Sequence, residues 1–303
     1  MSKAVRMRRT TLDLKDGQVS LCMWRGPENA PVLHWAHANG FNGQTYAPLL
    51  SQLSDRFHVY AWDARGHGQT TLVADPDQMR DWNIYREDMI QVIEALRVRH
   101  AAPILLGGHS MGGCVSVMTA AQRPDLVKGL VLADPVIIPF RYKLAMRLAS
   151  LLGPRGEGMK LADMARRRRA LWPDIATLKA AYTGRGAFKT WQTPFLTAYL
   201  KGGTLPTEDG VSLACAPAWE AANFEAFRHD SIGPVKQLRV PFTLLMAEVG
   251  STTRVPHLFA ANAARRAIQR VPSTSHFLPM EVPELVTAAV RDLADHLGLA
   301  PAV

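Results

Sequence analysis

Leu105-Leu106-Gly107-Gly108-His109-Ser110-Met111-Gly112-Gly113 is the stretch from which the rest of the chain can be read. The apolar run Pro103 to Leu106 predicts a buried parallel strand. Glycines then surround one serine, and Met111 to Arg123 has helical spacing. Gly108-His109-Ser110-Met111-Gly112 matches G-x-S-x-G, the strand–turn–helix elbow that lifts a serine hydroxyl above a sheet edge. Glycines two places before and after the serine let neighbouring backbone pass where a Cβ would clash. The helix N-terminus would offer the Met111 N–H to a developing oxyanion. The competing reading is a glycine-rich turn with an idle serine.

Working outward, the chain alternates strands and helices. Thr10 to Trp24 predicts a hairpin around Asp16-Gly17. Val32 to Ala36 predicts a buried strand ending at His37-Ala38-Asn39-Gly40-Phe41, and Tyr46 to Leu53 suits a helix. Phe57 to Trp62 is another strand, followed by Asp63-Ala64-Arg65-Gly66-His67-Gly68. Trp82 to Arg99 has helical spacing, and Val127 to Ala133 is an apolar strand ending in Asp134-Pro135. The pattern resumes with strands at Val240 to Met246 and Ala267 to Val271, then Ser273-Thr274-Ser275-His276 and a helix from Pro283 to about Leu297. This rhythm implies an α/β fold with a doubly wound, mostly parallel sheet. Between Pro135 and about Gly233 it breaks. That stretch shows helical pieces, no clear buried strand, and a concentration of aromatics that includes Trp172, Tyr182, Phe188, Tyr199, Trp219 and Phe227. We read residues 1–134 and 234–303 as the core, and 135–233 as a helical lid over the sheet's carboxyl edge.

The 303 residues suffice for such a core plus an insertion. Three cysteines, Cys22, Cys114 and Cys215, cannot form a disulfide framework and lack zinc-site spacing. No cofactor or metal is implied. The basic start, Met1 to Arg9, leads into polar sequence, so neither a signal peptide nor a membrane span is expected, and the cytoplasm is the expected compartment. The net charge of +9 could favour an anionic partner, but no nucleic-acid motif accompanies it. The densest basic run, Arg166-Arg167-Arg168-Arg169, predicts a solvated helix face, with docking of an acidic carrier as the alternative.

Taken together, the elbow at Ser110, Asp63 to Gly68 after a strand, Asp134 after the next strand, and His276-Phe277-Leu278-Pro279-Met280-Glu281 resemble the α/β-hydrolase family with a helical cap. The match spans nearly the whole chain, and the order serine, acid, histidine is the one this fold uses. The resemblance implies Ser110 as nucleophile and His276 as its base, because a serine hydroxyl is barely ionised at neutral pH. The acid departs from the common pattern. Many members carry an aspartate after the strand that follows the cap. Here that place reads Ala247-Glu248-Val249-Gly250, with glycine where the aspartate would fall. Some capped members, haloalkane dehalogenases among them, place the acid where Asp134 lies. Asp134 is therefore favoured and Glu248 is second. For the oxyanion hole, Met111 gives one backbone donor. Counting without gaps puts the other at Asn39, and a one-residue shift would favour Phe41. His37, His34, His109 and His67 read as packed or structural, and His229 as a surface histidine, with a place facing substrate as the alternative.

A serine at the elbow disfavours the alkyl-enzyme chemistry that aspartate members perform. The implied function is hydrolysis of a carboxylic ester, or a related acyl bond, through an acyl-enzyme. The expected partner is a small-molecule ester with an apolar acyl or alcohol part, held beneath the aromatic cap. Thioesterase or carrier-bound ester hydrolysis, cofactor-free perhydrolysis, and a non-catalytic ligand-binding role stay open, as does a hydroxynitrile lyase.

Overall fold

Strands buried on both faces need helices on either side, and the chain supplies them in alternation. The structure, a computed structural model, describes residues 6–142, 144–145, 157–226 and 228–299. Phe227 and part of the expected lid therefore lie outside the described residues.

The main sheet has eight strands: β1 (Arg8–Leu14), β2 (Gly17–Trp24), β3 (Val32–Ala36), β4 (His58–Trp62), β5 (Ile104–His109), β6 (Val127–Ala133), β10 (Phe242–Ala247) and β11 (Arg265–Val271). Their spatial order is β1-β2-β4-β3-β5-β6-β10-β11. β2 pairs antiparallel with β1 and β4, and the pairings from β4 through β11 are parallel. Every residue of β3, β4, β5 and β10 is buried. The helices Asn83–His100 and Met111–Gln122 cover one face, and Pro283–His296 covers the other. The expected doubly wound sheet is present, with strand ends shifted by at most three residues.

The stretch between β6 and β10 differs from the purely helical insertion expected. Helices Glu157–Arg166, Ile175–Tyr182, Thr193–Gly202 and Pro217–Glu225 are joined by a small antiparallel sheet. Its strands are β7 (Leu171–Trp172), β8 (Thr204–Thr207) and β9 (Gly210–Leu213), in the order β7-β9-β8. These strands are two to four residues long and mix buried, half-buried and exposed positions, which is too short and too irregular for a periodicity signal. The turn at Glu208-Asp209-Gly210, with Gly210 at φ +136°, was the readable hint.

Candidate active site

Ser110 sits where β5 meets the helix, at φ 58° and ψ −118°. This positive φ is a strained backbone for a residue with a Cβ. The neighbouring glycines permit it: a Cβ on Gly112 would collide with the Ala36 carbonyl oxygen, and one on Gly108 with the Gly112 carbonyl group. The serine carbonyl accepts from the Cys114 and Val136 amides, so the elbow is tied both to its helix and to the segment after Pro135.

His276 lies after β11, in the loop before the closing helices. The Ser110 hydroxyl donates to its Nε2 at 2.9 Å, and its Nδ1–H donates to Asp134 Oδ2 at 2.6 Å. An ionised carboxylate only accepts, so this contact assigns the ring proton to Nδ1 and leaves Nε2 as the acceptor. Asp134 follows β6, is fully buried, and has a positive φ of 43°. Burial alone would raise its carboxyl. The hydrogen bond and charge of His276, with the Ser251 hydroxyl and the Thr252 amide, outweigh burial and hold it below the usual carboxylate range.

Two of those stabilising groups come from the loop after β10, where the expected aspartate is missing, and the last residue of β10, Ala247, adds a third donor. The Ala247 amide, the Ser251 hydroxyl and the Thr252 amide donate to Asp134 at 3.2, 2.5 and 3.0 Å. That loop now cradles the acid instead of carrying it. Glu248 is exposed, and its carboxylate accepts from the Ser273 amide at 2.7 Å. It is therefore not the carboxylate bonded to His276. Ser251 and Thr252 carry no motif that would have marked them from the sequence.

In the loop after β3, most amides already have acceptors. Ala38 donates to the Tyr46 hydroxyl, Gly40 to His67 Nε2, Phe41 to the Ala38 carbonyl and Gly43 to Asp63. Among the described residues, no protein acceptor engages the amide of Asn39 or of Met111. Phe41, the alternative donor, has its N–H committed.

Of the histidines expected to be structural, His37, His67 and His109 have fixed tautomers. His37 Nδ1–H donates to the Ala38 carbonyl, and its Nε2 accepts from the Ala64 amide. His109 joins three parts of the site. The Tyr46 hydroxyl donates to its Nδ1, and its Nε2–H donates to the His276 carbonyl, both at 2.7 Å. Burial drives the His109 imidazole down to about 3, so it is neutral at physiological pH. His229 corrects the surface reading. It is 2% exposed, stacks on Trp82 and lines the cavity.

Above these groups opens a cavity of about 730 Å³ whose walls are largely apolar, among them Val136, Met159, Trp172, Phe188 and Phe224. Arg168 corrects the solvated-face reading of the basic run. The helix ends at Arg166, which pairs with Glu225, and Arg167 and Arg169 are exposed. Arg168 turns into the cavity wall. It donates to Glu220 and to the hydroxyls of Tyr182 and Tyr199, at 3.0 and 2.7 Å for the tyrosines. Among the described residues, no group of three or more His, Cys, Asp or Glu could hold a metal ion, and no helix is long and apolar enough to cross a membrane.

Residues 28–180 match the profile of a family described as serine aminopeptidase, S33. The 2-(acetamidomethylene)succinate hydrolase of Mesorhizobium japonicum is 26% identical over 281 residues, covering 92% of this chain and 93% of that protein. The monoglyceride lipase of Homo sapiens is 30% identical over 127 residues, covering 41% of each chain. A solved E-2-(acetamidomethylene)succinate hydrolase superimposes with a TM-score of 0.77 at 22% identity, covering 96% of this chain and 100% of that one.

Proposed function

The chain belongs to the α/β-hydrolase family, by its match to the serine aminopeptidase S33 profile, and from that premise we propose that it hydrolyses carboxylic esters through an acyl-enzyme on Ser110. The observation that carries this reading is the hydrogen-bonded series Ser110–His276–Asp134 at the floor of a largely apolar cavity. In this reading His276 Nε2 takes the hydroxyl proton as Ser110 Oγ attacks the ester carbonyl carbon. The carbonyl oxygen becomes an oxyanion facing the unengaged amides of Asn39 and Met111. His276 then returns the proton to the departing alcohol. A water activated by the same imidazole releases the acid and restores Ser110. Asp134 keeps the ring in the tautomer that accepts at Nε2 and stabilises the imidazolium.

We assign residues 135–233 the role of a lid that shapes the pocket, because most of the cavity's apolar wall comes from that stretch. The apolar wall supports a small-molecule ester with an apolar portion. The basic run is divided between Glu225, solvent and the cavity, which supports a small-molecule substrate over a docked acidic carrier. Cys22, Cys114 and Cys215 are buried and joined in no disulfide, which suits the cytoplasmic setting expected from the sequence.

The test is turnover of p-nitrophenyl butyrate, with covalent labelling by a fluorophosphonate probe. Wild type should turn over the ester and label. Ser110→Ala should fold, fail to label, and lose roughly 10⁴-fold or more in kcat. Undiminished turnover by the purified variant would reject the nucleophile, and an inert, well-folded wild type would favour the ligand-binding alternative.

A further inference from the structure

Among the described residues four arginines line the cavity, and three of them, Arg169, Arg185 and Arg254, are exposed, where water and salt screen their charge. Arg168 is different, with its side chain only 20% exposed. A partly buried guanidinium beside a reaction centre is a natural anchor for a carboxylate. In this chain the anchor is already taken. Glu220, on the helix Pro217–Glu225, accepts from Nη1, while Nη2 donates to both tyrosine hydroxyls. The Glu220 carboxylate also lies against the loop that carries Asn39: a Cβ on Gly40 would come within 2.6 Å of its Oε1. Its backbone carbonyl accepts from Asn39 Nδ2 at 2.9 Å. A fixed negative charge thus sits beside the candidate oxyanion loop, balanced by one cation.

We propose that Glu220 sets the charge of the substrate: by occupying Arg168 it restricts the cavity to neutral acyl esters and turns away acyl chains ending in a carboxylate. An incoming carboxylate would meet a guanidinium whose charge is compensated, and would lie next to a second carboxylate in a cavity of low polarity. Like charges placed so are strongly unfavourable. Tyr182 and Tyr199 each accept from Arg168 and keep one hydroxyl proton to donate, which suits an uncharged oxygen on the substrate. The inference rests on Ser110 acting as the nucleophile.

The experiment compares p-nitrophenyl butyrate with mono-p-nitrophenyl succinate, whose four-carbon acyl chain ends in a carboxylate. Wild type should prefer the butyrate by about 100-fold in kcat/KM. Glu220→Gln should move that ratio toward the succinate by about tenfold or more, and adding Arg168→Met to Glu220→Gln should abolish the gain. A wild type that takes both esters equally, or a Glu220→Gln variant whose ratio stays within about twofold, would overturn the proposal and leave the pair as a strut. Wild type alone gives a second readout that needs no variant to fold. Butylboronic acid should inhibit at least about tenfold more strongly than 3-carboxypropylboronic acid, and equal inhibition would overturn the proposal. Loss of all ester turnover and of boronate inhibition in wild type would instead strike at the reading of Ser110.

Discussion

Asp134 bears the most specific expectation at the scale of single residues. Because among the described residues it is the carboxylate bonded to His276, Asp134→Asn should lower kcat by roughly 10³–10⁴-fold, whereas Glu248→Gln should change it by less than about threefold. The reverse order in steady-state kinetics would move the acid to Glu248. Ser110, His276 and Asp134 were legible because each chemistry demands one residue type at one topological place: a serine between glycines, a histidine after the last strand, a carboxylate at a strand end. The groups that tune them were not. Ser251 and Thr252 act through an amide and a short hydroxyl that many residue types could supply. Arg168 looked like its neighbours in a run of four, and only the end of the helix at Arg166 turns it inward.

At the scale of elements, the oxyanion loop, the elbow and the histidine loop are joined by one buried chain of donors. It runs from the Ala38 amide through the Tyr46 hydroxyl and His109 to the His276 carbonyl. Each link has one direction, since Tyr46 has a single proton to give and neutral His109 a single N–H. Tyr46→Phe should remove two links while keeping the packing. It should lower kcat by about tenfold with KM within about twofold, since the chain positions reacting groups and not the bound acyl group. A rise in KM alone would mean that Tyr46 merely shapes the pocket. Strand and helix identities were readable here because apolar residues dominate β3, β5 and β10. The cap's small sheet was not readable, because strands two to four residues long are defined by their pairing partners and not by their own pattern.

At the scale of the whole molecule, the notable quantity is uncharged imidazole. His34, His37, His67 and His109 are all buried, and burial lowers them to about 3, 4, 3 and 3. A folded value below the unfolded one of about 6.5 means that the unfolded chain binds more protons between the two. Stability is then complete above about pH 6.5 and is lost as pH falls towards the folded values, by roughly 1.4 kcal/mol per pH unit for each such histidine. Urea unfolding should therefore give a markedly lower midpoint at pH 5.0 than at pH 7.5, and equal midpoints would show that these rings are hydrated. Asp134 adds a loss of the same sign only below about pH 4, since its folded value lies under its unfolded one. The root of the inserted stretch bears on how such enzymes could be recombined. Pro135 to Ile138 is stitched to the core: Val136 donates to the Ser110 carbonyl, Thr253 to the Pro135 carbonyl, and Arg254 to the Ile137 carbonyl. A chimera that grafts a foreign canopy at Pro135 would remove the partners of the segment 252–254, which cradles Asp134, and should lose turnover. One spliced after Ile138 should keep the reaction while inheriting the donor's appetite, a difference that hydrolysis of a simple ester would register.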